Sequence, residues 1–183
     1  LYGGAVDVLA AMHGHAAPHA LPCGDDGPAH VVPAYDDMAL YTETELLPSW
    51  YARLAFGSDL DEAAQEAFKA AWMQVFPKAR AAADVLLLRD YHSPNLLVLD
   101  SRMGLERIGI IDFQDGLTGP AAYDVASLLQ DARRTVAVDI EARRLTRYEA
   151  ARSAQGQDFD ADAFRAAYAI MGAQRNTKII GIF

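Results

Sequence analysis

The chain has 183 residues, 52% of them hydrophobic and 22% charged, and its 16 Lys and Arg stand against 25 Asp and Glu for a net charge of −9. This describes one ordinary soluble globular domain, excludes a disordered chain, and argues against a nucleic-acid groove, which needs a basic patch. A single cysteine, Cys23, excludes a disulfide framework and fits a reducing, cytoplasmic compartment, while no apolar run approaches the roughly 18–20 residues of a membrane-spanning helix.

In chain order, Val6, Leu9, Ala10 and His13 keep helical spacing and predict a helix over 1–13, stopped by Gly14. Residues 14–33, rich in Gly and Pro, read as a loop. A helical pattern runs from about Asp37 to Phe56, bent or divided at Pro48, with Trp50 and Tyr51 read as core. Asp59 is the expected N-cap of an amphipathic helix over 60–76, closed by Pro77. The centre then changes character. Val85-Leu86-Leu87-Leu88, Leu96-Leu97-Val98-Leu99 and Ile108-Gly109-Ile110-Ile111 are short apolar runs separated by turn residues, the pattern of small strands. Helical patterns return near 121–133, 138–152 and 160–180, the last two separated at Gly156 and its polar neighbours. The predicted class is α+β, mostly helical, with a small strand-and-loop centre. The first segment lacks the basic n-region of a signal peptide. A start at Leu1-Tyr2 without Met and an apolar end at Ile182-Phe183 read as a piece of a longer protein.

The unusual polar residues lie in that centre. Asp90 and Asn95 are five apart in a turn between two apolar runs, and Asp112 ends a third run. Carboxylates at the ends of apolar strands are costly unless they bind something. The side-chain oxygens of Asn95 and Asp112 suit Mg²⁺, which takes few protein ligands and completes its shell with water and phosphate. Asp90 would stay off the metal and accept a proton from a hydroxyl. An Asp-x-x-x-x-Asn loop followed by a metal aspartate is the phosphoryl-transfer arrangement. The competing reading is that all three are turn and capping residues.

With these residues in place, the sequence resembles the aminoglycoside phosphotransferase and choline kinase-like family. Leu86–Asn95 is similar to its catalytic loop, Ile110–Leu129 to its metal-binding segment and following helix, and Met12-His13 to the end of a family helix. Leu88–Leu97, Ile111–Asp115, Tyr123–Arg133 and Gly172–Lys178 resemble a bacterial subgroup of anomeric N-acetylmuramate and N-acetylglucosamine kinases, which feed cell-wall recycling. The resemblance implies the C-terminal lobe of a protein-kinase-like fold over 1–183, with a catalytic loop at 88–95 and a metal segment at 110–116. It implies ATP and Mg²⁺ as cofactors, Asp90 as base, Asn95 and Asp112 as metal ligands, and Asp124 as a buried brace of the catalytic loop. The Gly-rich phosphate loop and the Lys–Glu pair of the N-terminal nucleotide lobe have no counterpart here, so 1–183 is not expected to turn over alone. Two further departures are Leu88, where the family often has His, and Gln114, where the kinase motif has Gly.

Other candidates are weaker. His92, two residues after Asp90, would orient it or help hold phosphate. Glu45, in a segment the subgroup places near the acceptor pocket with Glu43 beside it, would bind sugar hydroxyls, against a solvated helix face. Arg175 and Lys178, in a polar stretch late in the last helix, are candidates for substrate or phosphate contact. Asp115 divides evenly between a second metal contact and a loop-fixing group. His13, His15, His19 and Cys23 read as a solvated loop rather than a zinc site, and Arg133 and Arg134 as a solvated helix end. The expected partners are a small-molecule acceptor and a nucleotide, with no nucleic acid and no membrane. The leading function is an ATP- and Mg²⁺-dependent kinase of a small-molecule hydroxyl, on an amino sugar or an aminoglycoside. The alternatives are a metal-dependent phosphoesterase using Asp90, His92 and Asp112, and a non-catalytic kinase-like binding domain.

Overall fold

A computed structural model describes residues 1–24, 27–82, 84–156 and 159–182. Expectations for 25 and 26 in the loop, for 157 and 158 beside Gly156, and for the terminal Phe183 lie outside the described residues. Helix α1 (Tyr2–Met12) buries Ala5, Val6, Leu9 and Ala10, one stripe of a helical surface. The predicted loop holds a small hairpin of β1 (Ala20–Leu21) and β2 (His30–Val31). His13, read together with the loop histidines as solvated, is instead buried at the end of α1. It is 1% exposed, and its Nδ1 lies 2.8 Å from the Tyr148 hydroxyl.

Helix α2 (Asp37–Thr44) starts where the Asp36 side chain accepts from the Ala39 N–H. The chain then widens into a π-helical turn at Leu47–Tyr51 and continues as α3 (Ala52–Phe56). Pro48 opens that turn, so the predicted helix is divided there. The turn leaves Trp50 64% and Tyr51 44% exposed, which corrects their reading as core. Helix α4 (Glu62–Ala79) is capped by Asp61, whose side chain reaches the Ala64 N–H; Asp59 instead pairs with Arg53. Pro77 lies inside the last turn of α4 and does not close it.

The strands make two-stranded antiparallel pieces. β3 (Val85–Leu87) pairs with the unforeseen β6 (Leu117–Gly119), and β4 (Leu96–Val98) with β5 (Ile108–Ile110). Helix α5 (Ala122–Leu129) is buried along its whole length and shorter than predicted. Just beyond it the Asp131 carboxylate accepts the Arg133 N–H in a turn that replaces the helical pattern. Helices α6 (Val138–Ser153) and α7 (Ala161–Ile182) complete the order. Helix α7 packs on α2, α4, α5 and the Leu47–Tyr51 turn, while α1 packs on α6 and α5. The mixed, mostly helical α+β class expected from sequence is what forms. Among the described residues no helix is long and apolar enough to cross a membrane.

Candidate active site

The polypeptide leaves β3 into a loop fixed from below by α5. Both oxygens of the buried Asp124 accept backbone N–H groups, from Leu88 at 2.7 Å and from Arg89 at 3.0 Å. The Ser127 hydroxyl donates to the Arg89 carbonyl, and the Tyr91 hydroxyl ties the loop to Ala5 of α1 at 2.9 Å. His13 Nε2 stands 4.0 Å from Asp124. These contacts hold Arg89 at φ +61°, a left-handed conformation that a residue with a Cβ adopts only at a cost.

Asp90 follows at once and is exposed. Its carbonyl accepts from His92 N–H and from Asn95 Nδ2, each at 3.0 Å, so Asn95 folds back across the loop. The Ile111 N–H donates to the Asn95 carbonyl, extending the pairing of β4 with β5 by one bond and bringing the end of β5 to the loop. Asp112 arrives there at φ +61°. Asn95 Nδ2 donates to Asp112 Oδ2 at 3.2 Å, and Gln114 Nε2 to Asp112 Oδ1 at 2.7 Å. The structure thus brings Asp90, Asn95 and Asp112 to one exposed edge. Gln114, where a glycine was the motif residue, fixes the Asp112 carboxylate.

His92 is buried, 4% exposed, and its Nε2 lies 2.9 Å from Arg133 Nη1. Burial, and then the Arg133 charge, hold its pKa below the ordinary histidine value against the pull of Asp131. Arg133 is therefore not merely a solvated helix end. Asp131 also accepts the Ser93 hydroxyl at 3.2 Å.

A second cluster surrounds Glu43 on α2. Glu43 Oε1 accepts from Arg89 Nη2 and from Lys178 Nζ, both at 2.7 Å, and Oε2 accepts from the Tyr35 hydroxyl and from Gln174 Nε2. Burial pushes the Glu43 pKa up, but the Lys178 charge and the bonds from Lys178, Tyr35 and Arg89 outweigh it and hold the carboxyl below the usual glutamate range. Burial, with Tyr123 and Glu43 beside it, pushes the Tyr35 phenol up, so it remains a donor. Glu45 does not join this cluster; it is exposed and bonds to Tyr41.

Residues 1–166 match the phosphotransferase enzyme family. The chain belongs to that family. It is similar to an N-acetylmuramate/N-acetylglucosamine kinase of Caulobacter vibrioides, 40% identical over 183 residues, which is 100% of this chain and 48% of the relative. Similar kinases of that name occur in Pseudomonas putida, 35% identical over 158 residues (83% of this chain, 44% of the relative), and in Neisseria meningitidis, 31% identical over 157 residues (84% and 45%). The chain spans about half the length of the curated relatives it matches.

In this phosphotransferase-family chain the matched region contains Asp90, Asn95, Asp112 and Asp124, whereas Arg175 and Lys178 lie beyond it. Asp115 is exposed. Sequence reasoning did not single out Tyr35 or Arg89, it took Gln174 only as part of the polar stretch late in the last helix, and it chose Glu45 over Glu43. The available signal was the two-residue offset of Glu43 and Glu45, which puts them on different sides of one helix.

Proposed function

We propose that this chain supplies the catalytic half of an ATP- and Mg²⁺-dependent phosphotransferase acting on a small-molecule hydroxyl, with an N-acetylated amino sugar as acceptor. It would form the C-terminal lobe of a kinase-like fold, with the catalytic loop at 88–95 and the metal segment at 110–116. The observation that carries this reading is the convergence of Asp90, Asn95 and Asp112 on one exposed edge held by a strained loop. The names of the relatives support the acceptor class.

Asp90 receives the acceptor hydroxyl and takes its proton as the oxygen bonds to the γ-phosphorus of ATP. The bond from that phosphorus to the bridging oxygen breaks, and ADP leaves. The donor set fits Mg²⁺. Asn95 spends its Nδ2 on Asp90 and Asp112 and keeps Oδ1 without a hydrogen bond among the described residues, beside a carboxylate on the surface. Asn95 and Asp112 would hold the ion, which when bound neutralises phosphate charge. A phosphoesterase built on His92 is disfavoured, because that ring is buried against Arg133.

The test is ATP consumption by the full-length protein with N-acetylmuramate, N-acetylglucosamine and aminoglycosides offered as acceptors. Turnover is expected with the amino sugars, and Asp90→Ala is expected to lower kcat by about 10²–10⁴-fold. Near wild-type turnover in that variant overturns the assignment.

A further inference from the structure

Arg89 occupies a backbone conformation that suits glycine. Its φ is +61°, and the Asp90 N–H donates to the Leu88 carbonyl at 2.7 Å, closing a three-residue turn of the rare, strained form with Arg89 at its centre. The bonds from Asp124 and Ser127 that fix this turn all use main-chain atoms of Leu88 and Arg89. Any residue at 89 would receive them, so they explain the loop and not the arginine.

The side chain makes a connection of its own. Nη2 donates to Glu43 Oε1 at 2.7 Å, and the guanidinium carbon lies 5.8 Å from the centre of the Tyr35 ring, within cation–π reach. Exposed ion pairs contribute little, but this carboxylate is 14% exposed and is held from other directions by Tyr35, Gln174 and Lys178. It is a fixed anchor. At the far end of this strut, the Asp90 carboxylate accepts no hydrogen bond among the described residues. Its aim is therefore set by the backbone that carries it, and that backbone is the turn centred on Arg89.

We propose that Arg89, anchored on Glu43, is a positioning residue for Asp90 and ties the aim of the base to α2 and α7. The inference rests on the reading of Asp90 as the base. A base held in place in advance spares the reaction the cost of orienting it, and a displacement of about 1 Å is enough to slow a step by about 10²-fold.

The experiment uses the full-length protein with Arg89→Met, which removes the charge and keeps the apolar stem, and Arg89→Lys, which keeps the charge and loses the planar fork. Turnover of N-acetylglucosamine and amide hydrogen exchange across 86–95 are followed together, below the melting temperature of every variant. Arg89→Met is expected to lower kcat by about 10–100-fold while KM for the acceptor stays within about threefold. The Asp90 and His92 amides, bonded to the Leu88 and Asp90 carbonyls, should exchange at least about tenfold faster, with those of α5 unchanged. Arg89→Lys should lie between the two proteins, and it stands in for Arg89→Met if that variant does not fold. Adding Glu43→Gln to Arg89→Met should lower kcat little further, since both cut one link. Unchanged kcat in Arg89→Met overturns the proposal even where exchange is faster, because the pair is then structural. So does a rise in KM alone, which would put Arg89 on the acceptor. If the wild type turns over no acceptor, the kinase reading fails and exchange alone decides. Unchanged rates in Arg89→Met then overturn the strut, and faster exchange confined to 88–92 upholds its hold on Asp90.

Discussion

Glu43 joins Tyr35, Arg89, Gln174 and Lys178 through one carboxylate, and Arg89 carries that connection to the residue before Asp90. Because the folded Glu43 pKa lies below its ordinary value, the folded state binds fewer protons than the unfolded one between the two values. Its contribution is present above the unfolded value of 4.5 and is lost as the pH falls through the folded value. Glu43→Gln is therefore expected to cost about 2–4 kcal/mol at neutral pH. That difference from the wild type should shrink below the usual glutamate value, as denaturant midpoints at the two pH values will measure. The grouping of Asp90, Asn95 and Asp112 was legible because their spacing and flanking apolar runs are local. Glu43 was not, because its partners come from positions 35, 89, 174 and 178. His13 looked solvated for the same reason: the tyrosine that covers it lies 135 residues away.

Among the elements, α7 has the widest set of neighbours described above, α2, α4, α5 and the Leu47–Tyr51 turn. It approaches the Leu47–Tyr51 turn so closely that a Cβ on Gly181 would stand 2.5 Å from the Leu47 amide nitrogen and 2.6 Å from the Leu46 carbonyl carbon. A Cβ on Gly172 would instead meet the end of the Gln130 side chain, which can swing away. Gly181→Ala is expected to lose about 1–3 kcal/mol and Gly172→Ala less, despite the better helix propensity of Ala in both. Thermal unfolding of the two variants tests the order. The long helices were readable from their apolar stripes. Their ends were less so, since caps depend on which Asp reaches an amide: Asp61 does and Asp59 does not. Strand β6 has three residues and no alternating pattern; it becomes a strand because β3 pairs with it and the distant Pro33–Tyr35 segment bonds to Thr118.

At the scale of the molecule, the α1–α6 pair and the α4–α7 pair meet through α5, which touches α1, α6 and α7. The buried Asp124 stands on that shared helix. Neither pair is closed off from the other, so one cooperative transition is expected. Trp72, stacked on Phe76 in α4, gives a local fluorescence signal in a Trp50→Phe background. Its denaturation curve should coincide with the far-ultraviolet helix signal. Two separated midpoints would show that the helix pairs unfold independently. The overall class followed from composition and periodicity, whereas this junction depends on long-range packing that no local pattern encodes.

The left-handed backbone at Arg89 and Asp112 changes which substitution reports cleanly on each side chain. Alanine, the customary neutral reference, keeps a Cβ and so retains a conformational penalty of about 1–2 kcal/mol at these two places. Glycine removes the side chain and the penalty together. At positions 89 and 112 the residue usually avoided in ordered structure is the one the backbone already suits, and comparing it with alanine divides what the loop loses in chemistry from what it stores in shape.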